Sequence, residues 1–179
     1  MITVQDLTAP TASNPADINV ECIGDVPASD ITVVIDEADN CGTPTVAFVS
    51  DVSDNNTCPE TITRTYSVTD SCGNSINVTQ NIIVNDITPP TGTAPADITV
   101  QCIGDVPADD VALITDEADN CTANPTVTFI GDASDGNTCP EVITRTYRIT
   151  DDCGNFIDVN QTITVNDDID PTASNPAPI

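Results

Sequence analysis

The 179-residue sequence contains no lysine, no histidine and no tryptophan. Its basic side chains are three arginines, Arg64, Arg145 and Arg148, set against 29 acidic residues for a net charge of −26. Without cationic surface, a polyanion cannot displace counterions from phosphates, so nucleic acid is excluded as a partner. Anionic membrane surfaces repel it as well. The missing histidine removes imidazole-based triads and His-ligated zinc, and the missing lysine removes Schiff-base chemistry. Lysine–asparagine isopeptide cross-links are excluded on the same ground. Aromatics make up only 3% of the chain, which predicts a thin aliphatic core. No apolar run is long enough to cross a bilayer, and no signal peptide follows Met1.

What is present argues for order. Apolar residues are 39% of the chain and mean hydropathy is −0.05, unlike the low hydrophobicity of charged disordered segments. The apolar residues are mostly valine and isoleucine, and threonine is abundant, which is a β-rich composition. Fourteen prolines and eight glycines mark many turns between short strands.

The chain repeats itself. Residues 15–27 (PADINVECIGDVP) return as 95–107 (PADITVQCIGDVP), and 57–66 (TCPETITRTY) return as 138–147 (TCPEVITRTY). DEADNC at Asp36–Cys41 recurs at Asp116–Cys121, and DSCGN at Asp70–Asn74 recurs as DDCGN at Asp151–Asn155. The period is about 80 residues, with one extra residue between Cys121 and Pro125. Residues 2–10 match the end of a unit and 171–179 match the start of one. The expected organisation is the last strand of a preceding repeat (1–9), a first repeat (10–89), a second (90–170) and the start of another (171–179). Units this small bury a modest core.

Five strands are expected per unit: Ile18–Cys22, Ile31–Asp36, Thr45–Val49, Thr61–Asp70 and Ser75–Val84, with short extra strands within 50–57. Ile62, Arg64, Tyr66 and Val68 alternate with threonines and serine, so they share one face. Gly73 lets Asp70–Asn74 close a hairpin. The fold class is all-β: tandem immunoglobulin-like antiparallel β-sandwich repeats. Tyr66 and Tyr147 are expected in the core with their hydroxyls anchored to a loop. Arg64 and Arg145 are expected to pair with carboxylates.

Each unit has four cysteines. An even set in a small repeat without histidine reads as disulfides in an oxidising, extracellular setting. The rival, a four-thiolate zinc site, usually shows close CxxC pairs, and the chain has none. If successive strands run up and down between two poles, Cys22 and Cys58 meet at the far pole and Cys41 and Cys72 at the near pole. The expected pairs are therefore Cys22–Cys58 and Cys41–Cys72, repeated as Cys102–Cys139 and Cys121–Cys153.

The same parity sorts the acids. Asp36, Glu37, Asp39, Asn40 and Asp70 fall at the near pole, with counterparts Asp116, Glu117, Asp119, Asn120 and Asp151. Asp25, Asp51, Asp54 and Asn55 fall at the far pole. Linker acids Asp6 and Asp86 are expected where units meet. Crowded carboxylates repel one another, and calcium, a hard cation taking six to eight oxygens, would relieve that repulsion. Calcium is thus the expected cofactor, with Asp6, Asp36, Glu37, Asp39, Asn40, Asp70, Asp86, Asp116, Glu117, Asp119, Asn120 and Asp151 as its candidate ligands. DxDxDG spacing of the EF-hand kind is absent, and a solvated acidic surface that serves solubility is the competing reading.

Several strings carry a family resemblance. Pro15-Ala-Asp-Ile-Asn-Val20, Arg64-Thr-Tyr-Ser-Val-Thr-Asp70, Asp70-x-Cys-Gly-Asn74 and the closing Ile-Val-Asn-Asp resemble hyalin-repeat (HYR) immunoglobulin-like modules. With CIGDVP, DEADNC and TCPETITRTY, the chain is similar throughout to the repeats of SprB-type gliding-motility adhesins of Bacteroidetes. HYR modules commonly begin with Cys-Pro, where this chain has Asn14-Pro15 and Ala94-Pro95, so their disulfide pattern need not transfer. The resemblance implies a long filament on the bacterial cell surface, exported by type IX secretion, which grips the substratum.

The function expected is a non-catalytic structural and adhesive stalk. Its partners would be neighbouring repeats of the same chain, with substratum or surface polysaccharide beyond them, and no direct membrane insertion. The alternative is a module recognising glycans or a partner protein, but the loops are largely the same in both copies and aromatic platforms are scarce. An enzyme could use only paired carboxylates, and a catalytic pair duplicated in each small sandwich is not expected. Ten-residue strands would give each unit a length of about 35–40 Å.

Overall fold

The computed structural model describes residues 5–174. Parts of the expected preceding strand (residues 1–4) and of the expected next repeat (residues 175–179) lie outside the described residues. The chain divides into two compact units, Met1–Thr88 and Pro89–Ile179.

The first unit is built on β1 (Ile18–Val20), β2 (Thr45–Ser53), β3 (Glu60–Thr69) and β4 (Ser75–Val84), in the sheet order β1-β4-β3-β2. β3 pairs antiparallel with β2 and β4, while β1 runs parallel to β4. The second unit repeats this with β5 (Ile98–Val100), β6 (Thr126–Ser134), β7 (Glu141–Thr150) and β8 (Phe156–Val165), in the order β5-β8-β7-β6. The fold is all-β, and each unit has an immunoglobulin-like arrangement. One layer is the four-stranded sheet. The other is an irregular layer formed by the chain between β1 and β2, or between β5 and β6.

That irregular layer corrects the expected strand at Ile31–Asp36. Ile31–Val33 is a 3-10 turn because the Asp30 carboxylate accepts from the Thr32 amide at 2.9 Å, a local bond that competes with strand pairing. Asp110 makes the same bond to Ala112 at 3.0 Å in the second unit. The first strand is also shorter than expected, because a 3-10 turn begins at Ile23. No separate strands occupy 50–57. Instead β2 continues through Ser53, with an irregularity between Phe48 and Ser50 that restores its pairing with β3.

The inward face of β3 alternates as expected. Ile62, Arg64, Tyr66 and Val68 are all buried. The core of the first unit falls into two clusters: Val34, Tyr66, Val68 and Val78, and then Ile62, Ile82 and Val84. Between them lies a polar belt. Arg64 and Gln80 are register partners, 3% and 4% exposed. Arg64 binds Asp51 through both carboxylate oxygens, at 2.9 and 2.8 Å, and the Pro27 carbonyl at 2.9 Å. Gln80 donates to the Ala16 carbonyl at 2.8 Å. The same ties recur at Arg145 with Asp132 and Pro107, and at Gln161 with Ala96. The arginines therefore stitch the sheet to the irregular layer and the glutamines tie it to the segment before β1 or β5, and each buried polar group has hydrogen-bond partners. The Tyr66 hydroxyl accepts from the Asp30 amide at 3.4 Å, and Tyr147 does the same for Asp110 at 3.3 Å, as expected of core tyrosines.

Candidate cation site

Strand register brings the cysteines to opposite ends of each sheet. Val20 and Glu60 both pair with Val84, which places Cys22 and Cys58 at one end. Thr45 pairs with Thr69, which places Cys41 and Cys72 towards the other. Cys22, Cys58, Cys121 and Cys153 are disulfide-bonded. Cys41, Cys72, Cys102 and Cys139 are exposed free thiols.

The acids at the two ends differ in how their oxygens are used. At the Cys22 end of the first unit, Asp51 is committed to Arg64. Asp54 accepts from the Asn56 and Thr61 amides at 3.0 and 3.1 Å and from the Asn56 side chain at 2.9 Å. These hydrogen bonds hold the Asp54 carboxyl below the usual carboxylate range, the Asn56 amide most of all.

At the Cys41 end the bonding is incomplete. Asp6, Asp39 and Asp70 each place a carboxylate oxygen within 4.8 Å of the others. Local bonds orient them. Asp6 Oδ1 accepts from the Thr8 amide at 3.0 Å, and Asp39 Oδ2 accepts from the Cys41 amide at 2.8 Å. Asp70 Oδ1 accepts from the Cys72 and Asn74 amides, both at 2.8 Å, in the hairpin that Gly73 closes at φ 93°. The Asn74 side-chain amide reaches both the Asp70 carboxylate (2.7 Å) and the Asp6 carbonyl (3.2 Å), joining the linker to the hairpin.

The remaining oxygens are stranded. Asp6 Oδ2, Glu37 Oε2 and Asp39 Oδ1 are shielded from solvent and accept no hydrogen bond. Glu37 and Asp39 flank Ala38, which makes a two-way backbone bridge with Thr11 at 2.8 and 2.9 Å. Extended residues two apart point to one side, so the bridge directs both carboxylates the same way. Glu117 Oε2 and Asp119 Oδ1 are stranded likewise in the second unit, around Ala118 bridged to Thr91. There Asp151 accepts from the Cys153 and Asn155 amides at 2.9 and 2.8 Å, as Asp70 does in the first.

Electrostatics favour charged carboxylates here. The Thr8 amide, above all, holds Asp6 below its ordinary value, against the upward effect of burial, and the Cys41 and Asn40 side chains assist. The Asn74 side chain does the same for Asp70. Asp6 in turn pushes the Cys41 thiol up.

Of the other expected ligands, Asp36 turns away and accepts from the Ser13 amide at 2.9 Å, and Asp116 accepts from Thr93. Asn40 and Asn120 donate to Cys41 and Cys121 sulfur at 3.2 and 3.1 Å. Asp86, the counterpart of Asp6, is buried, and its Oδ1 accepts from the Thr88 amide at 2.9 Å. Sequence reading missed the Thr11–Ala38 bridge and the Asn74 link. The first has no side-chain signature, although Asn74 stands visibly within DSCGN.

Comparison with known proteins fits this architecture. Residues 10–84 match the model of the HYR-like domain with 4 cysteines. That match supports an HYR-like cell-surface repeat for this stretch. No curated protein matches the chain. HYR-like domains are extracellular, and bonded cysteines fit an oxidising compartment.

Proposed function

We propose that the chain is a stretch of non-catalytic stalk from a long bacterial cell-surface filament of the gliding-adhesin type, secreted by the type IX route. Its partners are neighbouring repeats of the same chain, and the assembled filament meets substratum or surface polysaccharide. Disulfides and calcium stiffen it, and both pairs expected in each unit, Cys22–Cys58 and Cys41–Cys72 with their counterparts, are part of this reading. The observation that carries it is duplication of one HYR-like architecture down to its buried ties: Arg64–Asp51 and Arg145–Asp132, Gln80–Ala16 and Gln161–Ala96. Selection for a repeated rod favours identical modules, whereas a dedicated recognition site favours one divergent copy.

A glycan-recognition role has less support. A groove of the first unit is lined by Pro15, Ile18, Val33, Ile35 and their polar neighbours, with no aromatic ring among them. Arrays of two, four and eight copies test the stalk by small-angle scattering and atomic force microscopy. Contour length should rise linearly by about 35–40 Å per unit. Compaction with added copies, or specific hits on a glycan array, would overturn the reading. Filamentous antibody labelling on intact source cells tests the surface location.

A further inference from the structure

On β3, Thr61, Thr63, Thr65, Ser67 and Thr69 alternate with the buried Ile62, Arg64, Tyr66 and Val68, so they point out of the first unit. Their cross-strand partners on β2 and β4 are threonine, serine, asparagine, alanine, valine and isoleucine. No acidic or basic residue stands on this outer face, and none of its side chains is buried. Yet 29 of the 179 residues are acidic. A surface about 25–35% charged is what keeps a small domain soluble and free of patches. The second unit repeats the pattern. Its outward positions hold one acid, Asp158, which Arg148 neutralises at 2.7 and 2.9 Å. Each sheet therefore presents a neutral, hydroxyl-rich face on a chain that is otherwise a polyanion.

We propose that this outer face is a contact surface for a second copy of the chain, sheet face against sheet face. Charge selects the occupant. Two chains of net charge −26 repel wherever their carboxylates meet, and the neutral face is where that cost is least. Its groups are also complementary to themselves. Hydroxyls and amides both donate and accept, so a two-fold contact can pair them, which carboxylates cannot do. The short side chains of β3 let two sheets approach to about 10 Å. Edge-to-edge pairing fits less well, because β2 is interrupted between Phe48 and Ser50. Area sets the strength. Three strands of about ten residues, spaced about 4.8 Å with a rise of about 3.4 Å per residue, cover on the order of 500 Å². A stable pair buries about 800 Å² per partner. One unit therefore associates weakly, and units joined in a chain add their contacts through effective concentration. Lateral bundling of filaments, the use given to this contact, rests on the stalk reading. The contact itself does not.

The test follows the full 179-residue chain and its four- and eight-unit arrays by sedimentation velocity at rising concentration. Reversible self-association is expected, at least about tenfold tighter in the eight-unit array than in the 179-residue chain. Added salt should strengthen it by screening the acids that flank the face. Thr65 pairs with Ser50 and Thr79, and Thr146 with Gly131 and Asn160, so both stand mid-face. Thr65→Asp with Thr146→Asp should weaken association by about tenfold or more. Ile35→Glu with Thr115→Glu adds the same charge at exposed positions of the irregular layer and should change it far less. A chain with Thr65→Lys and Thr146→Lys should pair poorly with itself, yet pair with the Asp-substituted chain when the two are mixed. Circular dichroism checks that each variant is folded. Four results would overturn the contact: monomers at every length and concentration, equal losses from the face and irregular-layer variants, association weakened by salt, or a mixture of Lys- and Asp-substituted chains that stays apart. Retention of a monomeric chain on a neutral polysaccharide column, lost with Thr65→Asp, would give the face another occupant and overturn it likewise. Scattering separates the two ideas: arrays that stay extended but single lose this contact and retain the stalk.

Discussion

The two units share one backbone plan and differ in how their cysteines and arginines are deployed. In the first, Cys22 and Cys58 are bonded while Cys41 and Cys72 are free thiols; in the second, Cys121 and Cys153 are bonded while Cys102 and Cys139 are free. The bonded cysteines of each unit thus correspond to unbonded ones in the other. Register is the same in both, since Val100 and Glu141 both meet Val165 just as Val20 and Glu60 both meet Val84. A backbone that presents a bonded pair in one copy presents the same pair in the other. The difference therefore teaches that either end of the sheet can be closed.

The largest effects should come from these cysteines. Replacing Cys22 and Cys58 together by serine should destabilise the first unit by about 3–4 kcal/mol, the range expected for opening loops of this length. Replacing Cys121 and Cys153 should cost the second unit a similar amount. Chemical denaturation of each variant measures this. Alkylation after full oxidation sharpens the comparison: all eight cysteines should resist it, and peptide mapping should recover four intra-unit disulfides. Persistent labelling of Cys102 and Cys139 would mean that the asymmetry is intrinsic.

Arginines give the next contrast. Arg64 is buried and tied to Asp51 and the Pro27 carbonyl, so Arg64→Met removes the bidentate partner of Asp51 and the donor to the Pro27 carbonyl. A loss of about 3 kcal/mol is expected. Arg148 has no basic counterpart in the first unit, where Ser67 stands. It pairs with Asp158 at 2.7 and 2.9 Å and covers the Phe156 ring at 3.7 Å, but it is a third exposed. Exposed pairs contribute little, so Arg148→Ser should move the melting temperature far less than Arg64→Met. Comparable shifts would break this distinction.

How much of this was legible beforehand follows physical lines. The sheet was legible because ITRTYSV and ITRTYRI alternate with period two and their burial obeys it. The irregular layer was not. Ile31–Asp36 has strand composition, but the side chain of Asp30 decides the backbone through a local bond that propensity does not register. At the candidate site, the clustering of acids could be read from DEADNC and DSCGN. Which oxygens are stranded could not, because that depends on the Thr11–Ala38 bridge and on the local amides that engage the other oxygen of Asp6 and Asp39. Asp36 shows the limit best, since it adjoins Glu37 yet points to Ser13.

The smallest expected effect probes the core directly. Ala12 packs against the Val34–Tyr66–Val68–Val78 cluster in the first unit. Its counterpart in the second unit is Gly92, and the counterpart of Val68 is Ile149. A Cβ built on Gly92 would clash with Ile149 Cδ1, and Ile149 is fully buried. The second unit has thus moved volume from one side of a contact to the other, with the isoleucine's extra methylene entering space that the alanine methyl fills in the first. Gly92→Ala should overpack the second unit and destabilise it by about 1–2 kcal/mol. Ile149→Val alone should open a gap costing about 1 kcal/mol. Combined, the two changes rebuild the first unit's pairing, so the double variant should be more stable than the sum of the single losses. A double-mutant cycle by denaturation measures the coupling. Strict additivity would show that Ile149 simply changes rotamer to admit the methyl, and that the two cores are less alike than their shared sheets imply.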